Sequence, residues 1–435
     1  MAQLSTHIFP NFGKDVSVLA KGAHFGDARW LHVKAHNQGA LRELVRQCCQ
    51  SGVGIVTGQH RPLPPSIKRD ARIVFVDTGS CSNVLEHVRE DQVITVETGI
   101  TLIHLNTLLA QSKQWFPISY GNENTTVLDV IETGDGGILE HGFGGPRDLV
   151  LGLEVITGQG DAIKCGGKVV KNVTGYDLSK LIVGARGTLG LASVAHLRLF
   201  ARPQETTTLL LTGRNLVELV DHASALTIMD LPFSCLEIVD ARLLSRSVHL
   251  FDPEDSTGLL NSAVDATDPY FALIAQIAGP HDVIEESVQH VKAQPFAGSA
   301  VRLPAAFEDK ILPALSNIGS VCEKESIEIA CGPKDCTSLV HNWWRKSGKP
   351  PVQIRIGSGR MRVFADSANS CARLLESISA TISSLAQPPA VSFGNADYEY
   401  FMRNFNTECS AQQSIKDQIK RRFDPAGCLN PLARV

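Results

Sequence analysis

The stretch CGGKVVKNVTGYDLSKLIVGARGTLG, Cys165 to Gly190, places Gly166, Gly167, Gly175, Gly184, Gly187 and Gly190 around two nearby lysines, an asparagine and a Tyr-Asp pair. Glycine reaches positive φ at little cost and lets a ligand touch backbone N–H groups with no Cβ in the way. Successive exposed N–H groups form a concavity suited to phosphate or diphosphate. Gly166 and Gly167 open one such bend, and Gly184, Gly187 and Gly190 open another. Between them YDLSKLIVG predicts a short helix ended by Gly184, with Leu178, Leu181 and Ile182 on its inner face. The G-x-x-G-x-x-G spacing is neither a dinucleotide fingerprint nor a P-loop, and no G-x-x-x-x-G-K-[ST] occurs in the chain. Two readings stay open on spacing alone: a phosphate-bearing ligand, or tight turns between packed strands.

Working outward, LVLGLEVIT and AIKCG flank a Gln-Gly-Asp turn and predict a hairpin, and TLGLASVAHLRLF predicts a strand closed by Pro203. Upstream, LRELVRQCCQSG puts Leu41, Leu44, Val45 and Cys48 on one helical face and stops at Gly52. VGIVTG, ARIVFVDT and QVITVETG predict strands, and TLIHLNTLLAQS a second helix. Beyond Pro203, TTTLLLTG, LVELVDHASAL, CLEIVD, YFALIAQIAG and VIEESVQHVKAQ alternate strand and helix, which predicts a second domain. QQSIKDQIKRRF predicts a basic amphipathic helix near the C-terminus.

The 435 residues are too many for one ordinary core, so two or three domains are expected. With 43% hydrophobic and 20% charged residues the composition is that of a folded globular protein. The 41 basic and 45 acidic residues are mixed along the chain, which leaves no electrostatic footprint for nucleic acid. No secretory or transmembrane segment is read, so the expected location is the cytoplasm, with membrane association only by way of partner subunits. The eleven cysteines are expected to be buried small hydrophobes, and Cys331 and Cys336, with no second pair, do not suggest a metal or iron-sulfur site.

The run GGKVVKNVTGYDLSKLIVGARGTLG, preceded by RDLVLGLEVITGQGDAI and joined to a C-terminal FDPAGCLNP, closely resembles the FAD-linked oxidases of the vanillyl-alcohol oxidase/PCMH superfamily, and within it the glycolate oxidase (glycolate dehydrogenase) FAD-binding E-subunit group. The likeness covers most of the first half and the last dozen residues. It implies an α+β fold: a two-subdomain PCMH-type FAD-binding domain, then an α/β cap domain, with a tail returning to the FAD domain. The boundaries expected are a leader over 1–25, the FAD domain over 26–203, the cap over 204–410 and the tail over 411–435. The resemblance assigns cofactor contacts to Thr125, Thr126, Gly134, Lys171, Asn172, Gly175, Tyr176, Asp177, Gly187, Thr188, Leu189, Gly190 and Asn430. It implies a subunit that oxidises a small 2-hydroxy acid beside a second FAD-linked oxidase subunit and an iron-sulfur subunit, and it names no catalytic residue.

Two loops depart from the family. Where relatives carry a Gly-Gly-Gly type loop, this chain has TGQHRPLPPS, Thr57 to Ser66, with one glycine and three prolines that lack N–H donors. In TTVLDVIETGDGG, Leu128 and Asp129 replace a Gly-Gly, and a carboxylate beside a diphosphate is repulsive. These departures keep open an alternative role as a non-catalytic assembly subunit. His60 lies in the first loop, where some relatives attach flavin covalently; FAD held without a covalent bond is expected here. Arg355, Arg360 and Arg362 in QIRIGSGRMRVF read as a solvated charged face, with a carboxylate site at Arg360 as the sharper alternative. Trp343 and Trp344 read as packing or a subunit contact.

Overall fold

A computed structural model describes residues 14–25, 28–57, 72–119, 122–168, 177–251, 270–297, 300–321, 325–382, 390–393 and 410–431. The first half holds two sheets. The smaller has the order β1-β2-β4-β3, with β1 (Val16–Phe25) antiparallel to β2 (Ala28–Ala35), and β3 (Gly54–Thr57) and β2 each parallel to β4 (Arg72–Asp77). Residues 16–25, expected in a leader, are therefore an edge strand of this sheet. A parallel pair needs a crossover, and α1 (Gln38–Gln50) lies between β2 and β3 in sequence. The Asn37 side chain caps it by accepting from the Ala40 N–H at 2.8 Å, and its buried face is Leu41, Leu44, Val45 and Cys48 as the periodicity predicts.

The second sheet is antiparallel, in the order β5-β6-β10-β8-β9, from β5 (Val84–Val88), β6 (Val93–Glu97), β8 (Val150–Ile156), β9 (Ala162–Gly166) and β10 (Leu191–Arg198). Beside it, β7 (Gln114–Trp115) pairs with β11 (Phe200–Ala201). The helices of this half are α2 (Leu102–Ala110), α3 (Val127–Thr133), α4 (Glu140–Phe143), α5 (Pro146–Leu149) and α6 (Ser179–Ile182). One core joins both sheets from Leu31 to Leu199 and takes in Cys428 and Leu429 from the far end of the chain. Ile182 is buried in it, whereas Leu178, predicted to face inward, is exposed.

The second half is one eight-stranded sheet, all antiparallel, in the order β15-β12-β14-β13-β17-β18-β16-β19. Its strands are β12 (Glu205–Gly213), β13 (Phe233–Asp240), β14 (Phe271–Gly279), β15 (Val301–Arg302), β16 (Glu325–Ala330), β17 (Val352–Arg355), β18 (Arg360–Ala365) and β19 (Ala390–Phe393). Both faces are covered, which is why β14 reads as a continuous apolar run. Phe271, Leu273, Ala275 and Ile277 point to one core, with α7 (Leu216–Ile228), α9 (His281–Lys292), α11 (Pro333–Asn342) and α12 (Ala368–Ile382), where Trp343 and Trp344 are also packed. Ala272 and Ile274 point to the other, with α8 (Ala241–Phe251) and α10 (Ala305–Val321). Ile138 and Leu139 of the first half join this second core, so the two halves share buried apolar surface. Finally α13 (Ser410–Phe423) carries the chain back to the first half. No helix among the described residues is long and apolar enough to cross a membrane.

Candidate functional site

The site is built where three segments of the first half meet the C-terminus. Thr126 caps α3: its Oγ1 accepts from the Asp129 N–H, and the Asp129 carboxylate accepts from the Thr126 N–H at 2.8 Å. The next two N–H groups of the helix are also taken, Val127 donating to the Ile100 carbonyl and Leu128 to that of Thr98. A helix N-terminus offers anions its unpaired N–H groups. On α3 those of Thr126 through Asp129 are all paired within the protein, and a carboxylate already stands there. Thr125 is buried one position upstream, its carbonyl accepting from the Leu102 N–H.

At its other end α3 stops in a left-handed turn at Gly134, whose φ is 64°. A Cβ there would come within 2.9 Å of Gly184, so the two glycine turns lie backbone against backbone. The pairing continues through Gly184 N–H to the Ile131 carbonyl and Arg186 N–H to the Glu132 carbonyl. Arg186 and Gly187 are both left-handed, with φ of 54° and 72°. Thr188 and Leu189 are buried behind them, and a Cβ on Gly190 would lie 2.3 Å from Val155 of β8. The buried Glu132 carboxylate accepts a short hydrogen bond from the Thr57 hydroxyl, which brings the end of β3 into the same seam. Asp177 sits at the entry to α6 and accepts from the Ser179 N–H and hydroxyl.

The C-terminus closes the seam. Asn430 is buried, its N–H donates to the Ile55 carbonyl at 2.7 Å and its side-chain amide to the Arg186 carbonyl. Lys420 donates to the carbonyls of Thr188 and Leu429 and to Asp424. Burial lowers the pKa of Lys420, with the Asp424 carboxylate opposing. The structure thus brings Gly134, Gly187, Thr188, Leu189, Gly190 and Asn430 together, with Thr125 and Thr126 at the opposite end of α3. Lys171, Asn172, Gly175 and Tyr176 lie outside the described residues, as does His60.

Residues 31–166 match the family model described as FAD binding domain. Over those residues the chain is similar to FAD-binding domains. Glycolate oxidase subunit GlcD of Bacillus subtilis is 30% identical over 228 residues, 52% of this chain and 46% of that protein. Glycolate oxidase subunit GlcE of Escherichia coli is 36% identical over 128 residues, 27% of this chain and 34% of its own length. The chain thus spans less than half of either relative. D-lactate dehydrogenase of Archaeoglobus fulgidus is 24% identical over 368 residues, 80% of this chain and 78% of that one. Among solved structures an alkyldihydroxyacetonephosphate synthase superposes with a TM-score of 0.65 at 14% identity, covering 92% of this chain and 76% of the other, a likeness of fold.

The seam has features that suit a diphosphate cofactor. Over Gly184, whose φ is 87°, a Cβ would make ordinary contacts at 3.8 Å with both the Arg147 guanidinium and the Gly134 backbone. Arg147 is exposed and donates to the Val183 carbonyl at 3.4 Å, so a cation stands beside the glycine turn. Sequence reading placed Arg147 at the start of the family likeness without assigning it a role. The GGPRD context, with Pro146 opening α5, was the available signal.

A second group of charged residues lies between the domains. Arg355 pairs with Asp135 across the boundary and with Glu237 at 3.1 Å on β13. Arg360 donates to the Gly134 carbonyl at 3.0 Å and pairs with Glu328 and Glu140, and Arg362 pairs with Glu328. The solvated face expected for these arginines is therefore corrected: each is largely enclosed and committed to a carboxylate. The single strand-like run read there is in fact the β17–β18 hairpin, and period-2 spacing does not tell a wet face from one covered by another domain. Burial pushes the Asp135 pKa up, yet Arg355, Arg360 and the Gly137 N–H overcome it and hold the carboxyl well below the ordinary range. Burial raises Glu237 and Glu140 against the pull of Arg355 and Arg360 respectively. His141 sits beside the turn between β17 and β18, where a Cβ on Gly357 would overlap its ring, and burial lowers its pKa.

The cysteine expectation is also corrected at one pair. Cys48, Cys81, Cys165, Cys235 and Cys336 are free and buried and Cys371 is buried, whereas Cys49 and Cys428 form a disulfide across 379 positions of sequence.

Proposed function

We propose that the chain is an FAD-dependent oxidoreductase subunit that oxidises a small 2-hydroxy acid, akin to the glycolate oxidase E subunit, beside a second FAD-linked oxidase subunit and an iron-sulfur subunit. The observation that carries this reading is the FAD-binding match over residues 31–166 together with relatives named for glycolate and D-lactate, both 2-hydroxy acids. Bound FAD would supply the two-electron chemistry, and the chain the orientation and electrostatics around it. Arg147 and the glycine turns at Gly134 and Gly184–Gly190 would hold the cofactor without a covalent bond, with the sequence-assigned Thr125, Thr126, Lys171, Asn172, Gly175, Tyr176 and Asp177 as further contacts. Asn430 would hold the turn from behind. Arg355 and Arg360, each already paired, would fix the cap on the FAD domain rather than take a substrate carboxylate. An iron-sulfur centre would lie on another chain, since no cysteine pattern of this sequence suits one.

The test is the visible spectrum of the purified chain before and after acid precipitation, followed by anaerobic addition of glycolate or D-lactate. Flavin bands that pass into the supernatant, and that bleach with a 2-hydroxy acid once the partner subunits are added, are expected. A colourless protein that takes up no FAD, alone or with its partners, overturns the reading in favour of the assembly role, which the closed N-terminus of α3 favours.

A further inference from the structure

The last described residues, Asp424 to Pro431, form a strap with no regular structure of its own, laid over the open edge of the smaller sheet. Ile55 donates its N–H to the Cys428 carbonyl and accepts from the Asn430 N–H, which adds a single parallel bridge beside β3. The buried Asp424 carboxylate accepts from the N–H groups of Cys428 at 3.1 Å and Leu429 at 2.8 Å and from Lys420, so the strap carries its own internal brace. Its Asn430 holds the Arg186 carbonyl, and Lys420 at the end of α13, paired with Asp424 and Leu429 of the strap, holds that of Thr188, on either side of Gly187. A non-glycine residue at φ of 54° is conformationally costly and persists when its surroundings fix it. The strap is part of what fixes Arg186.

Along the covalent chain the strap is joined to the first half through the whole cap domain, whereas the disulfide joins it directly to the last turn of α1. A cross-link over so long a loop removes much of the freedom of the unlinked end. We propose that the Cys49–Cys428 disulfide is a redox latch on the FAD site: opened by a dithiol, it frees the strap, lets the Arg186–Gly187 turn relax and weakens FAD binding. This rests on the reading that FAD lies along that turn. In the reaction the S–S bond breaks, the dithiol gives up two electrons and two protons to leave two cysteine thiols, and it becomes a cyclic disulfide. The neighbouring Cys48 takes no part, because burial pushes its thiol up to about 12 and the nucleophile in exchange is the thiolate.

The experiment follows the full chain in buffer with and without dithiothreitol, together with Cys428→Ser and Cys49→Ser. Thiol labelling, hydrogen exchange of residues 424–431 and FAD affinity by flavin fluorescence are read on each. Dithiothreitol is expected to expose two further thiols, speed strap exchange and raise the Kd for FAD about tenfold, the result of cutting the competent population to about a tenth. Either serine variant should show the weak affinity from the start and ignore the dithiol. If one variant does not fold, the other and the reduced native chain still decide. The latch is overturned if those thiols label without reductant, or if they appear and the strap loosens while the Kd stays put. Absence of FAD binding in both redox states overturns the function reading, and the latch falls with it unless the strap still loosens on reduction.

Discussion

At the scale of single residues the seam is worked from two sides, with Arg147 facing solvent over Gly184 and Asn430 buried beneath Arg186. A guanidinium hydrogen-bonded to an anion contributes more than a neutral pair, about 1.5–3 kcal/mol. Arg147→Ala is therefore expected to weaken FAD binding by roughly tenfold or more. Its hydrogen bond to the Val183 carbonyl is long and the side chain is exposed, so the free energy of unfolding should move by less than about 0.5 kcal/mol. Equilibrium dialysis of FAD beside a urea titration checks both halves, and an unchanged Kd would remove Arg147 from the cofactor site. Asn430 was legible as a candidate in FDPAGCLNP only through family likeness. Nothing in its local sequence signals a partner 244 positions away.

At the scale of elements, the glycines of GARGTLG serve close packing, and Gly187 shows how far that constrains the site. At φ of 72° an alanine would be strained, and its Cβ would stand 2.9 Å from the Glu132 carboxylate and 3.2 Å from the Thr57 hydroxyl. Gly187→Ala is expected to cost roughly 1–3 kcal/mol. It should also lower FAD retention, because relief requires β3, α3 and the turn to separate. Thermal unfolding and flavin retention after gel filtration measure the two effects, and a variant of native stability would contradict the packing described. The short helix, the hairpin and the strand around this turn were readable because their periods and turn residues are local. The role of Asp129 was only partly so: the clash of a carboxylate with a diphosphate is visible in sequence, but its place in a capping box that closes α3 needs the Thr126, Thr98 and Ile100 partners in space.

At the scale of the whole molecule the domains meet through apolar contacts of Ile138 and Leu139 and through the paired arginines of the β17–β18 hairpin. The layers could be read from strand and helix alternation. The sheet order of the cap could not, because antiparallel pairing between β13 and β17 joins segments more than a hundred residues apart. Nor could the fate of Arg355, since the acids that enclose it come from Asp135 and Glu237, each over a hundred positions distant. Removing one partner of a buried pair is strongly destabilising because a charge is left behind, and Asp135→Asn should cost roughly 3 kcal/mol at pH 7. The pH dependence identifies the cause. Asp135 has a folded pKa held below its ordinary value near 4, so its contribution is fully present above about pH 4 and is lost as pH falls through the folded value. Glu140 and Glu237 have raised folded pKa values, and their contribution runs the other way, fading as pH rises through those values. Glu140 and Glu328 feel the Asp135 charge, so the difference between native and Asp135→Asn stability reports the aspartate together with its neighbours' response to its loss. That difference should be widest near neutrality and narrow below about pH 4. Stability curves that run parallel from pH 3 to pH 8 would instead assign the loss to packing at the domain boundary.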